Sequence, residues 1–285
     1  MKPHFELVAV GTPSVDVLYT ESGIIRRFGG GAVITASMAL AKWGMQTGIV
    51  GRVGKDAGGE WLLKNFREDG VDISLVKRDR IPTSVWTIDV APGDREILEP
   101  RIYSPLARLS LAQKKAVEDS DAVIVRLNNP LFKETVHLAK KSGSKLFVTF
   151  HLFEFSPPTI DFLRRHEPDV IFMTREEYEE ALQEFDLFSM DTLFVIMKGR
   201  DGCSIFHRGD MASYEGYRSD AVDSTGWENS FVAGFLYGYM NGWPLNRTAK
   251  LANTLSAIAT TEYGGRRKVP TREEMEKIVS FVASY

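Results

Sequence analysis

The chain has 285 residues, 44% of them hydrophobic, enough to build a sizeable core in one large α/β domain. Its 35 basic and 38 acidic side chains leave a net charge of −3, which gives no general electrostatic reason to bind nucleic acid or an anionic membrane; the one basic run, Arg266-Arg267-Lys268, reads as a solvated loop. A single cysteine, Cys203, excludes an internal disulfide and a cysteine-cluster zinc site, and the five histidines show no close metal-ligand spacing.

In chain order, the apolar patterning predicts a strand at 6–11, a helix at about 32–43, a strand at 47–53 and a helix at about 59–68. Further strands follow at 122–127, 145–150, 170–173 and 193–197. This alternation predicts an α/β fold: a three-layer, doubly wound, mostly parallel sheet with helices on both faces. The later strands are continuous apolar runs, as burial on both faces requires. Ligands of such sheets collect at the carboxyl ends of strands, and Gly11, Asp16, Lys198 and Gly199 fall on that rim. The segment 83–98, with Pro92-Gly93 at its turn, reads as a hairpin, and 16–20 supplies another strand to the same small sheet. No repeat, low-complexity tract or linker divides the chain, so 1–285 is read as one domain with a small β element formed by about 12–27 and 82–101. No apolar stretch has membrane-spanning length, and the N-terminus enters a strand without a signal-peptide pattern, so a cytoplasmic location is the simplest expectation.

The most informative stretch is Asp223-Ser224-Thr225-Gly226-Trp227-Glu228-Asn229-Ser230-Phe231, a polar, glycine-containing run that leads into the apolar segment 231–240. Such a junction is a helix start. Its first-turn N–H groups lack intrahelical partners and carry partial positive charge, which suits a phosphate. Taken alone, the same residues also read as an ordinary N-cap. A second glycine run, Phe28-Gly29-Gly30-Gly31, is read as opening the helix that continues through Trp43, and Gly54-Lys55-Asp56-Ala57-Gly58-Gly59 follows the next strand.

In this order, the two glycine-rich segments resemble the first signature of the ribokinase-like kinases, the sugar and nucleoside kinases that include the B-type phosphofructokinases, and 223–231 resembles the second. Further resemblances lie at Gly70-Val71-Asp72, Thr174 to Glu177, Lys198 to Gly202, Asn253 and Gly264 to Pro270. The resemblance implies a kinase that uses ATP and Mg2+ to phosphorylate a hydroxyl of a sugar, cyclitol or nucleoside, with the small sheet as a lid. A lid excludes water, which would otherwise accept the phosphate. The hairpin also reads as a peripheral support for a homodimer contact, and both roles can hold together.

By the same resemblance, Asp16 binds acceptor hydroxyls, while Gly30 and Gly31 let the backbone approach the substrate. The family's sugar-recognising Asn is replaced by Ile34 or Thr35. Glu177 matches the acid that helps hold hydrated magnesium, although Thr174 stands where that motif has Asn. Lys198, Gly199 and Gly202 match the nucleotide loop, Thr225 lies in the phosphate turn, and Asn253 matches a helix position lining the adenine pocket. No Walker loop occurs.

The family's usual Asp-Thr-Thr-Gly-Ala-Gly-Asp-x-Phe is altered here at three adjacent positions: Trp227, Glu228 and Asn229 replace Ala, Gly and the catalytic Asp. An amide cannot take the acceptor's proton, so Asn229 forfeits a base worth about 10²- to 10⁴-fold in rate. Glu228 either opposes the phosphate charge or acts as a displaced base, though adjacent helical positions differ in direction by about 100°. Trp227 narrows the pocket beside the Gly226 turn or stacks on a ring. Two readings therefore stand: a kinase with a degenerate catalytic turn, or a non-catalytic sugar- or nucleotide-binding protein on the same scaffold.

Overall fold

A computed structural model describes residues 4–20, 25–91, 94–97, 101–150, 156–184, 189–217, 226–261 and 269–283. The strands are β1 (Leu7–Val10), β2 (Ser14–Thr20), β3 (Ile25–Gly30), β4 (Thr47–Gly54), β5 (Val76–Asp79), β6 (Ser84–Ala91), β7 (Asp94–Ile97), β8 (Ala122–Arg126), β9 (Lys145–Thr149), β10 (Val170–Thr174), β11 (Leu193–Met197), β12 (Cys203–His207) and β13 (Asp210–Tyr214). The helices are α1 (Ala32–Lys42), α2 (Ala57–Glu68), α3 (Leu111–Glu118), α4 (Phe132–Ser142), α5 (Pro157–His166), α6 (Arg175–Glu184), α7 (Trp227–Met240), α8 (Leu245–Ala259) and α9 (Arg272–Ala283). None of these helices is long and apolar enough to cross a membrane.

The large sheet has the order β13-β12-β11-β10-β9-β8-β1-β4-β5, parallel from β11 to β5 and finished by the antiparallel pair β12 and β13. Alternation along each strand sends side chains into two cores. Leu7 and Ala9 of β1 join the core formed with α1, α2, α7 and α8, while Val8 and Val10 join the one formed with α3, α4 and α5. This is the three-layer arrangement that the apolar runs predict. The hairpin of β12 and β13 was not legible in the sequence, because four of the five residues of β13 are exposed and no apolar run marks it.

The small sheet has the order β3-β2-β6-β7, with β2 parallel to β6 in the register Ser14 to Ser84 and Asp16 to Trp86. Its edge strand β3 corrects the sequence reading, which took Phe28 to Gly31 as the opening of a helix. Residues through Gly30 pair antiparallel with β2, and α1 starts only after Gly31, whose φ of 103° is a left-handed conformation open chiefly to glycine.

One buried guanidinium joins the two sheets. Arg52 of β4, with 2% of its side chain exposed, pairs with Asp79 at 2.7 Å and donates to the carbonyls of Ile81, Pro82 and Ser104. Residues 81–84 lead into β6, and Ser104 lies just beyond Ile102, which bridges Val85 of the same strand. Beside this clamp, Asp56 caps α2 through the Gly59 amide and accepts from both the amide and the hydroxyl of Thr83. Burial pushes the Asp56 carboxyl up, but these donors outweigh it and hold the group below the usual carboxylate range. The segment Gly54 to Gly59 is therefore a joint between the sheets. Arg52→Met leaves the partly buried Asp79 and three carbonyls without their donor, and urea denaturation is expected to show a loss of about 3 kcal/mol.

Candidate active site

In the large sheet the chain leaves β1 for β4 on one side and later returns to β8 on the other, so the crevice beyond β1 and β8 is the topological switch point where such sheets bind ligands. The alternation described above places Gly11, Arg126, Thr149 and Thr174, at the ends of four adjacent strands, on the face of α1 and α7. A β-carbon at Gly11 would lie 2.8 Å from the Val33 side chain, so the glycine lets α1 close onto the end of β1.

Asp16 lies on β2 of the small sheet. Its Oδ1 accepts from the Ser14 hydroxyl at 2.8 Å, and a β-carbon on Gly30 would lie 1.9 Å from its Oδ2. The half-buried carboxylate thus occupies the space of the missing Gly30 side chain. Gly31, expected beside it, is the N-cap of α1. Ile34 is fully buried against the α1 core and offers no exposed surface to a ligand, which corrects its assignment as a contact; Thr35 Oγ1 is turned back onto the Gly31 carbonyl.

Opposite stands the start of α7. Gly226 caps it at φ 88°, and Trp227, Glu228 and Asn229 are half-buried there. Thr225 and Asp223 lie outside the described residues. Trp227 packs against the α1–α7 core, which draws its indole toward protein. Glu177, in the first turn of α6, is buried and accepts from the Thr174 amide at 2.8 Å, while its own amide donates to Thr174 Oγ1. Burial, with the charge of Glu228 adding to it, pushes the Glu177 carboxyl up to about 7, against the opposing charge of Arg126. Glu177, Glu228 and Arg126, from α6, α7 and β8, therefore share one electrostatic neighbourhood.

Beyond β11 the chain makes a 3-10 turn at Gly199–Asp201. Gly202 has φ 90°, and a β-carbon on it would lie 2.1 Å from the Tyr214 carbonyl, so the turn packs directly on the segment after β13. Asn253, buried on α8, donates to the Glu215 carbonyl at 3.0 Å and so holds that segment from the other side. Lys198 departs from expectation. Its backbone lies in the loop, but Lys198 continues the alternation of Ile196, so its ammonium donates to Ser204 Oγ on the α6 face of the sheet, away from Asn253. There it lines a cleft of about 330 Å³ with Arg175, Tyr178 and Glu179. Arg126 was not singled out in the sequence. The available signal was a cation closing the apolar run of β8 at its carboxyl end, where switch-point ligands sit.

The profile of the pfkB family carbohydrate kinases matches residues 15–272. The chain belongs to that family. The 5-dehydro-2-deoxygluconokinase of Geobacillus thermodenitrificans is 24% identical, over 97% of this chain and 94% of its own length. A fructokinase of Escherichia coli is 25% identical, over 94% of this chain and 97% of its own. Among solved structures, the adenosine kinase of Sinorhizobium meliloti superposes with a TM-score of 0.84 at 18% identity, covering 96% of this chain and 99% of that one. The ribokinase of Arabidopsis thaliana, complexed with ribose and ATP, gives 0.82 at 17% identity, covering 98% and 100%. The fold is that of the ribokinase-like kinases.

The raised Glu177 carboxyl carries a pH signature. A folded-state value of about 7 against an ordinary 4.5 means that the folded protein holds a proton the unfolded chain has released, so stability is full below 4.5 and declines as pH rises to about 7. In EDTA, urea denaturation from pH 5 to pH 8 is expected to show this decline in the wild type, on the order of 3 kcal/mol, and its near absence in Glu177→Gln.

Proposed function

We propose that this protein binds ATP and a small polyol, sugar, cyclitol or nucleoside at the switch point and transfers the γ-phosphoryl group to an acceptor hydroxyl. The observation that carries this reading is that buried Glu177 feels the charge of Glu228 in the first turn of α7, with Asp16 held against Gly30 at the entry to α1. The resemblance to kinases of a deoxygluconate derivative and of fructose, and to a ribokinase seen with ribose and ATP, supports it.

Each side chain has a stated task. Asp16 accepts hydrogen bonds from acceptor hydroxyls and so orients the attacking oxygen. The amides after Gly226, at the positive end of α7, receive the charge of the transferred group. Glu177 and Glu228 fit a magnesium ion: a buried carboxylate whose proton affinity is raised by burial and by a second acid nearby is a donor that a divalent cation relieves. Such an ion supplies charge neutralisation for phosphoryl transfer. This assignment sets Glu228 beside the phosphates and leaves the proton-accepting position to Asn229, which donates hydrogen bonds and cannot act as a base. Turnover then rests on positioning and electrostatics, with the proton lost to solvent after transfer.

The altered turn also favours a second reading, a binding protein without turnover. Acceptor-dependent ADP release, followed over long incubations with fructose and with 5-dehydro-2-deoxygluconate, separates the two. A kinase gives slow release that Asn229→Asp raises about 10²-fold, whereas no release from either protein leaves only the binding role. Gly30→Ala, whose methyl group displaces the Asp16 carboxylate, is expected to raise the acceptor KM about tenfold or more while leaving the KM for ATP nearly unchanged.

A further inference from the structure

We propose that Arg126 is a specificity-determining residue whose guanidinium binds a carboxylate of the acceptor, so that the acceptor class is a sugar acid. The proposal rests on the placement of the acceptor at the switch point given above. Arg126 ends β8, pairs in register with Thr149 of β9, and directly follows Val125, which lies opposite Val10 of β1. It is thus one strand away from Gly11 and the segment that leads to Asp16. Ala122 and Ile124 face the α1–α7 core while Val123 and Val125 face the other, and the same alternation turns Arg126 toward α1 and α7, the side on which α7 opens with Asn229 in its first turn.

Three features make an acceptor anion the fitting partner. Arg126 is half-buried, so its interaction with a bound carboxylate is screened less than on an open surface, and the planar guanidinium matches a carboxylate in two-pronged geometry. Beside it, Thr149 Oγ1 is buried with no hydrogen-bond partner, an orphaned polar atom that a ligand oxygen relieves. Across the crevice, buried Ile34 supplies no directional contact, so recognition of the acceptor is shifted from α1 to the end of β8. Glu177 feels the charge of Arg126, but it already accepts from the Thr174 amide and stands two strands away on β10's following helix.

Calorimetry without nucleotide tests this, with 5-dehydro-2-deoxygluconate and gluconate as acid probes, fructose as the neutral probe, and a non-hydrolysable ATP analogue titrated separately. Arg126→Met is expected to weaken acid binding by about tenfold to a hundredfold, with fructose and the analogue changed by less than about threefold, and Arg126→Lys is expected to recover part of the loss. Unchanged acid binding in Arg126→Met overturns the proposal, as does a parallel loss of acid and analogue, which would put the guanidinium on the phosphates or in the framework. A wild-type protein that binds fructose but neither acid overturns the acid class alone. One that binds no sugar at all overturns the functional reading with it.

Discussion

The buried guanidinium of Arg52 is the constraint on which the site's geometry depends. The two cores are built mainly on the large sheet, with Val15 of β2 joining one of them, but Asp16 belongs to the small sheet, and its place relative to α7 is set by how the sheets are joined. Arg52 ties the approach to β6 and the return from it to β4, Asp56 ties Thr83 to the start of α2, and β6 carries β2 with it in register. A charge held at 2% exposure is tolerable only because its donors are satisfied by Asp79 and by carbonyls. The same bonds that satisfy it define the joint.

The second constraint is electrostatic. Two acids and one base, Glu177, Glu228 and Arg126, meet at the strand ends in surroundings where burial, with the charge of Glu228 adding to it, moves the Glu177 carboxyl up to about 7. Glu228 places negative charge beside the α7 amides, and Asn229, one residue later, carries none.

Much of the fold was legible in the sequence because burial on both faces forces continuous apolar strands: β11 was predicted to the residue, and the predicted strand at 122–127 overruns β8 by one. The β12–β13 hairpin was not, since an exposed edge strand needs no apolar run. In the candidate site, Asp16, Glu177 and the Gly226 turn stand out by their motifs, and Glu177 feels the charge of Glu228 in the first turn of α7. The side chains of Lys198 and Ile34 lie where the motifs alone did not place them, for one reason. A motif gives a residue's place along the backbone, while the face its side chain takes follows from the strand or helix it belongs to.

The amino-acid sequence by itself determined the doubly wound architecture and the family, because apolar periodicity, glycine spacing and residue identity are local properties. Only the tertiary structure decided that Glu228 lies near Glu177, that Lys198 turns to the α6 face and that Arg126 stands at the switch point. Those facts depend on which strands become neighbours across more than a hundred residues of chain, and no local pattern carries that information.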